Sequence, residues 1–356
     1  MKLMKFRPNR VWRVYKGGAC IDALRSAAEP VDASFPEEWI ASTVEAINPQ
    51  HPIEGAGLSR VDLGNGESVT LQELIEKDGE NLLGAEHIAR VGRTTGFLTK
   101  LLDSAIRLPV QAHPDREASR RLFNSSYGKT EAWIVLGGRT IDGEEACLYM
   151  GFNDRFDWEV FCEEAKSGVM ERSLEMMHRY PIVPGEVIMI PGGFPHAIGP
   201  GCLVQENMEP SDWVVQPENK CGEQPLTLQD LFCGLEADAA MEVFHHEILT
   251  MDELRKKVLI QPEKLSQDAG ATVTRLIDRE KIGFFGALKV ELNSRWKRPE
   301  EMSCFMAGTV LSGSLNICDG DEEIALTQGD TFALAANAAP VFSGNAVVLL
   351  ALPPVR

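Results

Sequence analysis

The sequence predicts a mainly β protein made of two jelly-roll β-barrels with helical insertions. Three observations carry that expectation. Short runs rich in Val and Ile recur along most of the chain. Turn signals such as Pro184-Gly185, Pro191-Gly192-Gly193 and Asp319-Gly320 separate them. One pattern also occurs twice: Gly185-Glu186 leads through a short apolar run to Pro195-His196, and Gly329-Asp330 leads through another to Pro340. Many short strands between turn signals are the texture of a sandwich or jelly roll.

Taken in chain order, strands are expected at 132–137, 145–152, 186–190, 202–206, 286–292, 306–313, 314–317, 331–334 and 346–352. Apolar residues at three- and four-residue spacing predict helices over 71–83, 96–105, 114–123 and 158–177. The first copy of the repeat ends on a histidine and the second on a proline, which offers no metal ligand. Chemistry is therefore expected in the first barrel only. The expected division is a metal-binding unit at 1–240 and a C-terminal jelly roll at 241–356 without metal ligands, with the change in the acidic stretch 238–254.

The chain's 356 residues suit two domains, and 35 Lys+Arg against 53 Asp+Glu give a net charge of -18. Such a field repels polyanions, so nucleic acid and anionic membranes are not expected partners, and an anionic substrate needs a local basic cluster. The first dozen residues lack the apolar core of a signal peptide, and the longest apolar run, 346–352, is too short to span a bilayer. Eight cysteines without a CxxC pair read as free thiols in a reducing compartment, so a cytoplasmic monomer or homodimer is expected.

Gln111-Ala112-His113 and Lys129-Thr130-Glu131 each place two polar side chains two residues apart, hence on one face of a strand. His196 follows a Gly-Pro loop. One amide oxygen, two imidazoles and a carboxylate suit Zn²⁺, with Fe²⁺, Co²⁺ or Mn²⁺ accommodated by the same donors. A lone lysine is usually solvated, but the two-residue link to Glu131 draws Lys129 into the site. His245-His246-Glu247 reads as the solvated face of a helix, and His51, His87 and His178 as structural.

Gln111-Ala112-His113-Pro114, Gly128-Lys129-Thr130-Glu131-Ala132-Trp133 and Ile190-Pro191-Gly192-Gly193-Phe194-Pro195-His196-Ala197 resemble class I mannose-6-phosphate isomerase, of the cupin superfamily, in its short bacterial branch. The resemblance runs from about Pro8 to the C-terminus and is tight from Lys100 to Asp212. It implies a cupin-type fold and a zinc site of Gln111, His113, Glu131 and His196. It implies an active-site lysine at Lys129, acidic site residues at Glu206 and Asp212, a sugar-phosphate lysine at Lys100 and a pocket wall at Trp39. Two positions depart from the pattern: Gln216 stands where the family carries an arginine facing substrate, and Pro109 where it carries a serine.

The implied activity is zinc-dependent interconversion of mannose 6-phosphate and fructose 6-phosphate through an enediol. The base is left open among Lys129, Glu206 and Asp212. Gln216 and Pro109 motivate two alternatives: isomerisation of another, unphosphorylated sugar, or carbohydrate binding without turnover.

Overall fold

The fold is described from a computed structural model covering residues 1–355. Strand alternation organises it. Arg10–Val11, Glu37–Ile40, Leu98–Asp103, Cys202–Met208, Glu131–Gly138, Val187–Ile190 and Leu259–Ile260 lie side by side, in that spatial order, as one antiparallel sheet. A smaller sheet of His196–Ile198, Cys147–Phe152 and Met177–Pro181 faces it. Along Glu131–Gly138, Trp133 and Val135 point between these two sheets, where they meet Leu148, Met150, Ile188 and Val204. Ala132 and Ile134 point the other way.

That outward face does not meet solvent. With Leu101 and Val187 it packs on Ala287, Ala307, Ala333, Leu349 and Ala351 of a second, larger sheet. Small residues on the second sheet allow close approach of the two layers. The second sheet encloses its own core of Val273, Val290, Leu315, Phe332, Phe342 and Val348, which is apolar throughout. The helix Leu71–Leu83 covers one side of the shared layer with Leu71, Ile75 and Leu82. Its start is secured by a capping box between Thr70 and Glu73.

The two halves interlock. The strand Leu3–Lys5 pairs with Thr331–Leu334 in the second sheet, whereas Leu259–Ile260 extends the first. Residues 241–260 thus pack with the first half, and residues 3–5 with the second.

Several expected elements differ. The helix expected over 96–105 is the strand Leu98–Asp103. All six of its residues are buried, because both faces of the sheet are covered, so the polar–apolar alternation that marks a strand is lost. The strands expected at 306–313 and 314–317 form one strand, Met306–Asp319, which absorbs Gly313 at φ 77°. The helix expected over 158–177 breaks into Trp158–Ser167 and Glu171–Glu175, with Gly168 as a left-handed cap between them. Residues 244–247 are not helical, although His245 and His246 are exposed as expected. All eight cysteines are free thiols. No helix among the described residues is long and apolar enough to cross a membrane.

Leu101→Ala would open a cavity between the two sheet layers. It should destabilise the protein by about 2–5 kcal/mol in urea unfolding, since a truncated core leucine loses both transfer energy and packing. Divalent-ion stoichiometry should be unchanged, because the side chain points away from the site.

Candidate metal centre and its cavity

The inward face turns polar at one end of the first barrel. Glu131 and Trp133 of one strand, Glu206 of the next and Lys100 of the third stand in register, Glu206 opposite both Trp133 and Lys100. Residues on neighbouring strands at one register share a face, so alternation alone brings Glu131, Glu206 and Lys100 into one cavity. His196 comes from the facing sheet. Gln111 is bound to it backbone to backbone, with N–H···O distances of 2.8 and 2.9 Å in the two directions. The segment after His113 is held close by two glycines. A Cβ on Gly128 or on Gly192 would lie within 3 Å of backbone atoms of Asp115.

His113, Glu131 and His196 are fully buried, and one ligand atom from each lies within 4.8 Å of the others. Each is aimed by a second hydrogen bond. His113 Nδ1 donates to the Trp213 carbonyl at 2.9 Å, and His196 Nδ1 to the Phe194 carbonyl at 2.9 Å. Both imidazoles therefore present the lone pair of Nε2. Trp133 Nε1 donates to Glu131 Oε2 at 3.1 Å, which leaves Oε1 facing the histidines. His113 Nε2 and Glu131 Oε1 stand 3.1 Å apart. Neither His196 Nε2 nor Glu131 Oε1 has a hydrogen-bond partner.

Burial, more than any neighbour, keeps both histidines neutral, pushing His196 down to about 3. Burial alone would raise Glu131, but the Lys129 side chain beside it holds it well below the usual carboxylate range. Buried, unpartnered lone pairs converging on one point are the donor arrangement a divalent ion requires, with carbonyl partners fixing each imidazole from behind. The residues present fit such an ion.

Lys129 Nζ lies 3.2 Å from Glu131 Oε1 and 3.4 Å from His113 Nε2. Glu206 Oε2 pairs with Lys100 at 3.3 Å, while its Oε1 has no partner. Burial and the nearby Glu131 raise Glu206 well above its usual range. Gln111, His113, Lys129, Glu131, Glu206, Lys100, Asp212 and Gln216 all line one cavity.

Two expected site residues, Asp212 and Trp39, sit differently from their expected roles, while Gln216 lines the cavity as expected. Both oxygens of Asp212 accept from Arg13, at 3.0 and 3.1 Å, so this carboxylate is not free to serve as a base. Trp39 is not among the residues lining the cavity. Its ring lies 5.2 Å beneath the Arg13 guanidinium, and Nε1 donates to Glu37 at 2.7 Å. Gln216 lines the cavity, but its amide donates to the Asp230 carbonyl at 3.0 Å.

Arg13 and Glu37 are site residues that the motifs do not reveal. Glu37 accepts from Arg13 at 3.0 Å, Tyr15 at 2.6 Å, Trp39 at 2.7 Å and Lys100 at 3.1 Å. Burial works against its charge, but Arg13 and Lys100 hold its carboxyl far below the usual range. Alternation could have exposed Glu37, two residues before Trp39. Arg13 gives no such signal, because its partners come from distant segments.

Fold and site together define a jelly-roll chain with one buried group fit to hold a divalent ion. Within that class the chain is similar to mannose-6-phosphate isomerases. It is 26% identical to the probable mannose-6-phosphate isomerase GmuF of Bacillus subtilis (strain 168) over 248 residues, covering 69% of this chain and 71% of that protein. It is 30% identical over 154 residues to mannose-6-phosphate isomerase ManA of the same organism, covering 42% of this chain and 46% of ManA. The crystal structure of the Bacillus subtilis mannose 6-phosphate isomerase superposes with a TM-score of 0.74 at 23% identity, covering 99% of each chain. No family model matches. The resemblance read from the motifs thus extends, at low identity, to the whole fold.

His113→Ala should abolish stoichiometric retention of a divalent ion while far-ultraviolet circular dichroism is kept, as elemental analysis of the purified protein would show. Trp133→Phe removes the hydrogen bond behind Glu131 and part of the ring packed edge-on against His196. It should weaken the ion about 10–100-fold in a chelator competition, the usual cost of losing such a support.

Proposed function

We propose that this chain is a zinc-dependent aldose–ketose isomerase. It interconverts mannose 6-phosphate and fructose 6-phosphate, or the same sugars without the phosphate, by moving a proton between C1 and C2 through an enediol. The observation that carries this reading is the buried His113–Glu131–His196 group opening on a cavity that also holds Lys129 and the unpartnered Glu206 Oε1. The names of the relatives support the sugar pair.

The proposed ligands are the Gln111 side-chain oxygen, Nε2 of His113 and of His196, and Glu131 Oε1. Zinc bound there would supply Lewis-acid stabilisation of negative charge growing on a substrate oxygen. The remaining tasks fall to the chain's own side chains. Glu206 Oε1, an acceptor with no other partner, is placed to take the proton from one carbon and return it to the next. Lys129 Nζ, beside Glu131, is placed to donate to a substrate oxygen. Lys100 holds Glu206 Oε2 and so aims Oε1. Leu102, Leu108 and Ile198 give the cavity an apolar wall that limits water around the exchanging proton.

The same reading takes the protein as cytoplasmic, in keeping with eight free thiols, as monomer or homodimer, with one zinc per chain. It takes 1–240 as the catalytic unit and 241–356 as a structural cap, with 3–5 and 241–260 exchanged between them.

Incubating the zinc-loaded protein with mannose or mannose 6-phosphate in deuterium oxide tests the reaction. Loss of the C2 proton signal together with appearance of the ketose is expected. Binding of zinc and sugar without exchange would instead establish a non-catalytic carbohydrate-binding protein. Lys129→Ala and Glu206→Gln should each lower turnover about 10²–10⁴-fold, the usual worth of a positioned acid or base, with zinc content unchanged.

A further inference from the structure

The cavity's cations are all engaged. Among the described residues that line it, the arginine and lysine side chains are Arg13, Lys100 and Lys129. Lys100 is held by Glu37 at 3.1 Å and Glu206 at 3.3 Å. Lys129 is paired with Glu131 at 3.2 Å. Arg13 is clamped on two sides. Nε donates to Glu37 at 3.0 Å, and its two terminal nitrogens donate to the two oxygens of Asp212 at 3.0 and 3.1 Å. Asp212 is itself secured by the Ile47 backbone N–H at 2.9 Å, and the guanidinium rests over the Trp39 ring.

Arg13 is therefore a rigid group whose charge is already balanced. Its terminal nitrogens carry four N–H bonds in all: Asp212 takes one on each, and Nη1 also lies 3.4 Å from both the Ile47 carbonyl and Asn48 Oδ1, which leaves the second N–H of Nη2 to offer a ligand. Gln216, across the same cavity, contributes no charge, and one N–H of its amide goes to the Asp230 carbonyl. A phosphate monoester carries close to two negative charges at neutral pH and calls for unspent cations when it leaves water. A sugar hydroxyl both donates and accepts. It suits a wall of paired carboxylates and cations, where each group still has a lone pair or an N–H to offer.

We infer that Arg13 is the arginine that faces substrate in this chain, and that it reads sugar hydroxyls, so that the aldose accepted carries a free hydroxyl rather than a phosphate at its non-reacting end. This rests on the isomerase reading above and narrows its substrate class. Because the guanidinium comes from the N-terminal segment and not from position 216, the fork approaches the sugar already held by two carboxylates. A substrate phosphate would have to compete with Glu37 and Asp212 for it, at a cost in both desolvation and repulsion.

The test compares kcat/KM of the zinc-loaded protein for aldohexoses, mannose first, with that for their 6-phosphates. A preference for the free sugars of about tenfold or more is expected, since each 1.4 kcal/mol of mismatched charge is worth a factor of ten. Arg13→Lys keeps the charge but loses the fork. It should raise KM for the free sugar about tenfold with kcat changed far less, the sign of lost binding common to ground and transition states. Arg13→Gln should do the same more strongly. A purely structural Arg13 would instead lower the thermal midpoint and leave KM alone, which overturns the proposal. A preference for the 6-phosphates in the unaltered protein overturns it without any variant, and leaves the isomerase reading standing. Absence of C2-proton exchange with every sugar and every sugar phosphate overturns the isomerase reading and this inference together.

Discussion

Lone pairs of His113 Nε2, Glu131 Oε1 and His196 Nε2 are buried within a few ångströms of one another, and they repel unless positive charge stands among them. Much of the first barrel is arranged around that constraint. The carbonyls of Trp213 and Phe194 fix the imidazoles, the Trp133 indole fixes the carboxylate, and Lys129 supplies an ammonium at the edge of the group. The glycines at 128 and 192 let the 113–116 segment approach closely enough to deliver His113. Remove the need for a cation, and these supports have no common purpose.

Charge around the cavity follows a second logic. Glu37 gathers Arg13, Tyr15, Trp39 and Lys100 on its two oxygens, so a single carboxylate connects the wall to the metal side through Lys100 and Glu206. A buried carboxylate with four donors is fully satisfied, which is the condition under which a buried ionic network holds one geometry. Substitutions at Glu37 would disturb both ends of the cavity at once.

The buried His113–Glu131–His196 group was legible in the sequence because its members sit in segments that follow local rules. Gln111 and His113, then Lys129 and Glu131, are two residues apart, and alternation predicts a shared face whatever the rest of the fold does. The turn-framed His196 was legible for a similar reason. Arg13 was not, because its significance lies in Glu37 and Asp212, which reach it only through tertiary folding. The strand Leu98–Asp103 was misread as a helix because burial on both faces erased its pattern, and with it the register that sets Lys100 against Glu206. Trp39 was found, but as a wall rather than as the platform beneath Arg13; nothing in Glu37-Glu38-Trp39 shows which group its ring supports.

The strand Leu3–Lys5 finds its partner in Thr331–Leu334, near the other end of the chain. In synthesis residues 3–5 precede their partner by more than 300 residues. Until residues 331–334 have been synthesised, residues 3–5 have no partner strand, whereas Arg10–Val11, next to Arg13, can already pair with Glu37–Ile40. Docking of residues 3–5 is thus a late step, which fastens a cavity wall already built on the first sheet to the second half of the fold.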